Sequence, residues 1–216
     1  MNKFKVAFLI DKNNNWIENR IYNFQKSLKK SKYFSKVFKD YRRINNYDLV
    51  FILNFTKILN NNFLKKNKLN LVIHASHLPE GKGFAPMQWQ ILKDKKYIYN
   101  SLIEAVKKVD SGKVYLKEKM FFKGNELYDD LREIQSESTI QLIKKFLKKY
   151  PNITPKKQLG KSTYFKKRKI EDSELNINKN IKNLFPLMRI ANNNKWPLFF
   201  KYKNKKYILK IYKDEN

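Results

Sequence analysis

The sequence predicts an α/β domain with a mostly parallel sheet, followed by a small C-terminal appendage of one helix and a β-hairpin. Short, largely apolar runs at residues 4–10, 48–53 and 69–75 read as strands buried on both faces, too short for helices. A stretch of helical periodicity separates the first two runs, and strand–helix alternation is the mark of a parallel sheet with crossovers. Two alternating runs around a polar turn close the chain, which is a hairpin pattern. With 42% hydrophobic side chains over 216 residues, the chain can bury a core of its own, and disorder is excluded.

The elements are expected in this order. Phe4 to Ile10 forms the first strand, closed by the polar loop from Asp11 to Asn15. Trp16, Ile17, Ile21, Phe24 and Leu28 then recur at helical spacing. Val37 and Phe38 give a short second strand, and residues 48–53 and 69–75 two more. Residues 85–92 read as a short helix with Pro86 in its first turn. Residues 97–106 and 113–119 alternate as strands around the turn Val109-Asp110-Ser111-Gly112. Residues 125–150 carry one long amphipathic helix stopped by Pro151. A boundary is expected there, with one unit at 1–154 and an appendage at 155–216. In the latter, residues 156–169 are basic and extended, 177–190 helical, and 198–202 with 207–212 form a hairpin turning at 203–206.

Composition removes whole classes of function. Without a single Cys, disulfide scaffolds, thiolate metal sites and cysteine nucleophiles are excluded. No apolar run approaches the ~20 residues that span a bilayer, and the first residues lack the form of a secretory signal, so a cytoplasmic protein is expected. The 48 Lys and Arg against 19 Asp and Glu give a net charge of +29, which raises nucleic acid as a partner. The charge is mostly Lys, is spread from Lys3 to Lys213, and comes with Asn patches such as Asn13-Asn14-Asn15, so it reads as compositional bias. The densest stretch, Lys166-Lys167-Arg168-Lys169 beside Tyr164 and Phe165, reads as a solvated face; nucleic acid is disfavoured.

The chemistry concentrates where the histidines are. Only His74 and His77 exist, the first near the carboxyl end of a strand and the second in the loop after it, which also holds Gly81 and Gly83. Such a loop lets backbone approach a ligand. Asp110 sits in a tight turn 36 residues later. A His and an Asp at neighbouring strand ends make the pair that orients an imidazole and stabilises its charge during proton transfer.

The residues His74, Ser76, Leu78-Pro79, Lys82-Gly83, Pro86 and Trp89, with Asp110-Ser111-Gly112 at the family's separation, resemble the formyltransferases that use N10-formyltetrahydrofolate, closest to the short sugar N-formyltransferases. Residues 48–52 and 54–59, and downstream Tyr164-Phe165, Lys167-Arg168 and Met188-Arg189, extend the likeness over about 46–210. The resemblance implies a Rossmann-like formyltransferase domain. It also implies His74 as proton carrier with Asp110 beside it, and a folate held between the loop with Phe55, Ile58 and Leu59 and the loop with Val106 and Val109. Lys82, Gly83, His77 and Asn13 are implied on the side of the amine substrate. No metal is implied.

One position departs from the family: the Asn expected two residues before the His is Val72. A lost oxyanion donor costs on the order of 3 kcal/mol, so a substitute is expected, with Asn54, His77 and Lys82 as candidates. Lys82 replaces an Arg of the family and gives up bidentate geometry. By resemblance the acceptor is a UDP- or dTDP-linked amino sugar, such as a 4-amino-4,6-dideoxy sugar of surface glycans. A methionyl-tRNA-type enzyme, an inactive relative that binds RNA or folate, and a formyl-folate hydrolase stay open. The C-terminal hairpin is a candidate homodimer contact.

Overall fold

The computed structural model describes residues 3–13 and 16–214. Met1 and Asn2, and Asn14 and Asn15 of the loop expected after the first strand, lie outside the described residues. In chain order the elements are β1 (Phe4–Ile10), α1 (Glu18–Ser27), β2 (Tyr33–Phe38), β3 (Leu49–Leu53), α2 (Asn61–Lys65), β4 (Leu69–His74), β5 (Lys82–Gly83), α3 (Pro86–Ile91), β6 (Tyr97–Glu104), β7 (Val114–Phe121), α4 (Tyr128–Lys149), β8 (Tyr164–Phe165), α5 (Ile181–Arg189), β9 (Leu198–Tyr202) and β10 (Lys205–Leu209).

The main sheet has the order β2-β1-β3-β4-β6-β7. The first four strands run parallel, while β6 is antiparallel to β4 and β7 to β6. The mostly parallel sheet is as expected; β7 returns antiparallel to β6 because the connection over residues 105–113 is too short for a crossover. α1 and α4 cover one face, where Phe8 stacks on Phe51 at 5.6 Å and Phe51 meets Phe146 edge-on at 5.8 Å. On the other face Ala7, Leu9, Val50 and Ile52 pack with Ile44 and Phe63. Every β3 side chain is therefore buried, which explains its unbroken apolar run.

Four expectations are corrected. β2 is longer than the Val37-Phe38 pair because it pairs with β1 from Tyr33 onward, an edge strand whose alternate residue Phe34 stays exposed. Not every Asn reads as compositional bias: the Asn60 side chain caps α2 by accepting from Phe63 N at 3.0 Å. The helix expected at 177–190 starts only at Ile181, where the Asn180 side chain accepts from Asn183 N at 3.0 Å. The second hairpin strand begins at Lys205, not 207, because Lys203 and Asn204 alone form the turn, both with positive φ (45° and 59°).

The chain after α4 returns to the sheet. Lys156 bridges to Val114, β8 pairs in parallel with β5, and Leu175, Met188, Ala191 and Leu198 form a small core of their own. Arg189 is the joint between that core and the main unit. Only 1% exposed, it donates to a Glu126 carboxylate oxygen at 2.7 Å and to the Glu126 carbonyl at 3.2 Å. Burial works against the charge of Glu126, but the Lys123 and Gly124 amides together with Arg189 outweigh it and hold the carboxyl below its ordinary value. Among the described residues, no helix is long and apolar enough to cross a membrane.

Breaking a buried pair by removing one partner strands the other charge, so Arg189→Ala is expected to lower unfolding stability by about 3 kcal/mol in urea titrations. Because the folded Glu126 pKa lies below 4.5, its contribution is present above that pH and fades as pH falls through the folded midpoint. The difference between the native chain and Arg189→Ala should shrink over the same window.

Candidate active site

β4 ends on His74, so the ring emerges at the carboxyl edge of the parallel strands, between β3 and β6. There the chain turns through residues 75–81 and folds back over it. His74 Nε2 lies 2.8 Å from the Gly81 carbonyl oxygen. A carbonyl only accepts, so Nε2 is assigned the proton and Nδ1 faces the other way. On that side stands Asp110, its Oδ1 at 3.5 Å from Nδ1. Both side chains are 8% exposed. The two groups expected to meet do so, at a distance beyond a formed hydrogen bond but within the range catalytic pairs show before substrate arrives.

The second Asp110 oxygen is fixed separately, since the Gly83 amide donates to Oδ2 at 2.9 Å. Asp110 itself has φ of 52°, a left-handed backbone that its short polar side chain tolerates. The turn is held from below by close packing: a Cβ on Gly112 would fall 1.8 Å from the Glu104 carbonyl oxygen. It is held from the side by Gln158, whose Nε2 donates to the carbonyls of Asp110 at 2.9 Å and Gly112 at 2.8 Å.

The histidine side is braced by the same passing segment. Thr163 Oγ1 accepts from Gly81 N at 2.8 Å, Lys82 N donates to the Thr163 carbonyl at 2.9 Å, and Phe165 lies over Gly81 so closely that a Cβ there would sit 2.7 Å from its ring. Gln158 and Thr163 were not legible as site residues. They lie in the basic stretch that composition marks as solvated, where the β-prone Tyr164-Phe165 pair was the only signal.

The other expected residues fall into three places. Lys82 is buried, and its Nζ donates to Ser111 Oγ at 3.2 Å in the Asp110 turn. His77 is exposed and leaves the site altogether, with its ring 4.4 Å from that of Tyr99 on β6. Asn54 follows β3 with φ of 51°, two residues before Thr56, whose amide and hydroxyl both donate to Asp11 Oδ2 (3.1 and 2.6 Å). Asn13 N donates to Asp11 Oδ1 at 2.8 Å, so Asp11 ties the loop after β1 to the loop after β3.

Phe55, Leu59 and Val72 pack against one apolar cluster, while Ile58 (74% exposed), Val106 and Val109 leave apolar surface in water on the two loops flanking the site. Val72 carries no hydrogen-bond donor. A cavity of about 270 Å³ opens between the ends of β1, β2 and β3, lined by Asp11, Lys12 and Asn13, by residues 39–42 and by residues 55–57. It sits where the strand order reverses, the position at which open α/β sheets bind ligands. In its wall the Arg42 guanidinium, 2.7 Å away, holds the Asp40 carboxyl at about 2. A larger hollow of about 430 Å³ among residues 201–206 touches none of these groups. Among the described residues, no three His, Asp or Glu are grouped to hold a metal.

Comparison with known proteins gives consistent likenesses. The profile of the formyl transferase family matches residues 2–143. A methionyl-tRNA formyltransferase of Thermodesulfovibrio yellowstonii is 28% identical over 149 residues, 67% of this chain and 48% of that one. The chain spans about half the length of the curated relatives it matches. Among solved structures, a methionyl-tRNA formyltransferase from Clostridium thermocellum superposes with a TM-score of 0.81 at 20% identity, over 94% of this chain and 90% of that one. A 4-N formyltransferase from Francisella tularensis superposes with a TM-score of 0.79 at 14% identity, over 100% of both chains. At these identities the superpositions show a shared fold.

Gln158→Ala removes both bonds to the Asp110 turn. The expected result is a loss of about 1–2 kcal/mol in calorimetric unfolding and faster hydrogen exchange of the Gly83 amide, which Asp110 then holds less firmly.

Proposed function

Since the chain belongs to the formyl transferase family, matched over residues 2–143, we propose that it moves a formyl group from N10-formyltetrahydrofolate to the amine of a nucleotide-linked amino sugar. The observation that carries this reading is the buried His74–Asp110 approach at 3.5 Å, with the second carboxylate oxygen already held by Gly83 N.

When bound, the folate supplies an activated one-carbon acyl group; the chain's residues do the rest. His74 takes the proton that the acceptor amine loses on attack, and Asp110 stabilises the imidazolium that results. Exposed Ile58, Val106 and Val109, with Phe55 and Leu59 beneath, suit the flat ring of a pterin, which would cover them from water. With Val72 apolar, His77 stacked on Tyr99 and Lys82 turned to Ser111, Asn54 just after the adjacent strand is the residue we assign to the developing oxyanion.

The acceptor would enter by the cavity at the ends of β1 and β3, beside Asn13. Lys12 and Lys57 in its lining suit the diphosphate of a UDP- or dTDP-linked 4-amino-4,6-dideoxy sugar. The superposition over 98% of both chains on a sugar N-formyltransferase from Shewanella supports a sugar acceptor. The curated relatives favour a second reading, methionyl-tRNA as the amine. In either case we assign the reaction to the cytoplasm, and a homodimer contact to the C-terminal hairpin with its exposed Tyr207 and Ile208.

The test is an assay with N10-formyltetrahydrofolate and a panel of UDP- and dTDP-linked 4-amino sugars, run beside methionyl-tRNA. Formylation of a sugar is expected, with kcat lowered about 10²- to 10⁴-fold by His74→Ala and KM little changed. Formylation of the tRNA alone replaces the sugar with the second acceptor. Formate released without any acceptor, or full activity in His74→Ala, overturns the assignment.

A further inference from the structure

At the end formed by Tyr97–Tyr99 and Lys119–Phe121, the β6–β7 hairpin buries only one of its faces. Ile98, Met120 and Asn100 point inward, and Asn100 Nδ2 donates to Ser138 and Thr139 on α4 (3.3 and 3.2 Å). The register Tyr97↔Phe121 and Tyr99↔Lys119 puts the intervening side chains on the opposite face, one above another on adjacent strands. There they form a band of rings. His77 and Tyr99 lie 4.4 Å apart between centroids, Tyr99 and Tyr97 5.9 Å, and Tyr97 and Phe121 6.2 Å. Tyr97 is 45% and Phe121 68% exposed. Lys119 Nζ stands over the two tyrosines, 4.7 Å from one ring and 5.5 Å from the other.

We propose that this face is a binding platform for single-stranded nucleic acid. Exposed rings carried on neighbouring strands accept unstacked bases, and cations set among them take the phosphates; stacking on such rings is tolerant of sequence. The charge here is complementary to that ligand. Lys119 lies on the band, Lys95 acts on His77 and Lys96 precedes the first ring, while half-buried Lys117 donates its Nζ to the Leu78 carbonyl at 2.8 Å. The acidic groups at the edge are Asp94, paired with Lys96 at 3.1 Å, and Glu80, which acts on His77 and Lys117. The packing of the His77 ring, with Lys117 adding, lowers its pKa, which keeps it an uncharged stacking surface at neutral pH.

A second copy of this chain fits the face less well, because a two-fold contact would bring two copies of the same cationic patch together. The rings lie on two strands more than twenty positions apart, so nothing in the linear sequence shows them as one surface. The platform uses none of the residues assigned to formyl transfer.

Fluorescence anisotropy with a labelled oligouridylate and a duplex of equal length tests this. Preference for the single strand is expected, weakened about tenfold or more by Tyr97→Ala with Phe121→Ala and unaffected by Phe34→Ala on the opposite sheet edge. The salt slope should persist in the aromatic variant and fall by about 1 in Lys119→Gln. If the double variant melts early, Phe121→Ala alone gives the same comparison. Absence of binding, equal affinity for the duplex with no effect of the aromatic changes, or a self-associated species in sedimentation that Phe121→Ala dissolves would each overturn the proposal.

Discussion

The structure around the site depends on one carboxylate serving two partners. Asp110 offers Oδ1 to His74 and Oδ2 to the Gly83 amide, so the strand that ends in the imidazole, the glycine loop that folds over it and the turn between β6 and β7 are held to a single group. A left-handed backbone at Asp110 points the carboxylate inward, and Gly112 permits it because a Cβ there would collide with the Glu104 carbonyl. An imidazole that must carry a proton gains from such a partner twice, in orientation and in the stabilised charge.

Around that group the C-terminal half acts as a brace. Gln158 grips two carbonyls of the Asp110 turn and Thr163 takes the Gly81 amide. Thus the segment from 156 to 165, set after the expected boundary at 154, supports both members of the pair. Farther along, Arg189 anchors the small C-terminal core to Glu126 through a buried ion pair with two hydrogen bonds. The gain from such a pair lies in fixing a geometry more than in raw stability, since burying two charges is expensive.

The +29 charge is not one property of the surface. Arg42 is spent on Asp40, Lys39 pairs with Glu18, Lys82 is buried against a turn and Arg189 is interior. On the β6–β7 face Lys119 stands over two tyrosine rings rather than against a carboxylate.

By itself the sequence determined the strand–helix alternation, the segment carrying both histidines and the pairing of His74 with Asp110. Those follow from periodicity, from the scarcity of titratable groups and from a spaced motif, all local or linear properties. Tertiary structure alone decided which candidates share the site. His77 and Lys82 lie three and eight positions from His74 in the chain, yet one turns to Tyr99 and the other to Ser111, because a loop that reverses direction sends neighbouring side chains to different surfaces. It also brought in Gln158 and Thr163 from far along the chain and aligned Tyr97 with Phe121 across a hairpin. Contacts of that kind depend on register and packing between distant segments, and a one-dimensional pattern carries no record of either.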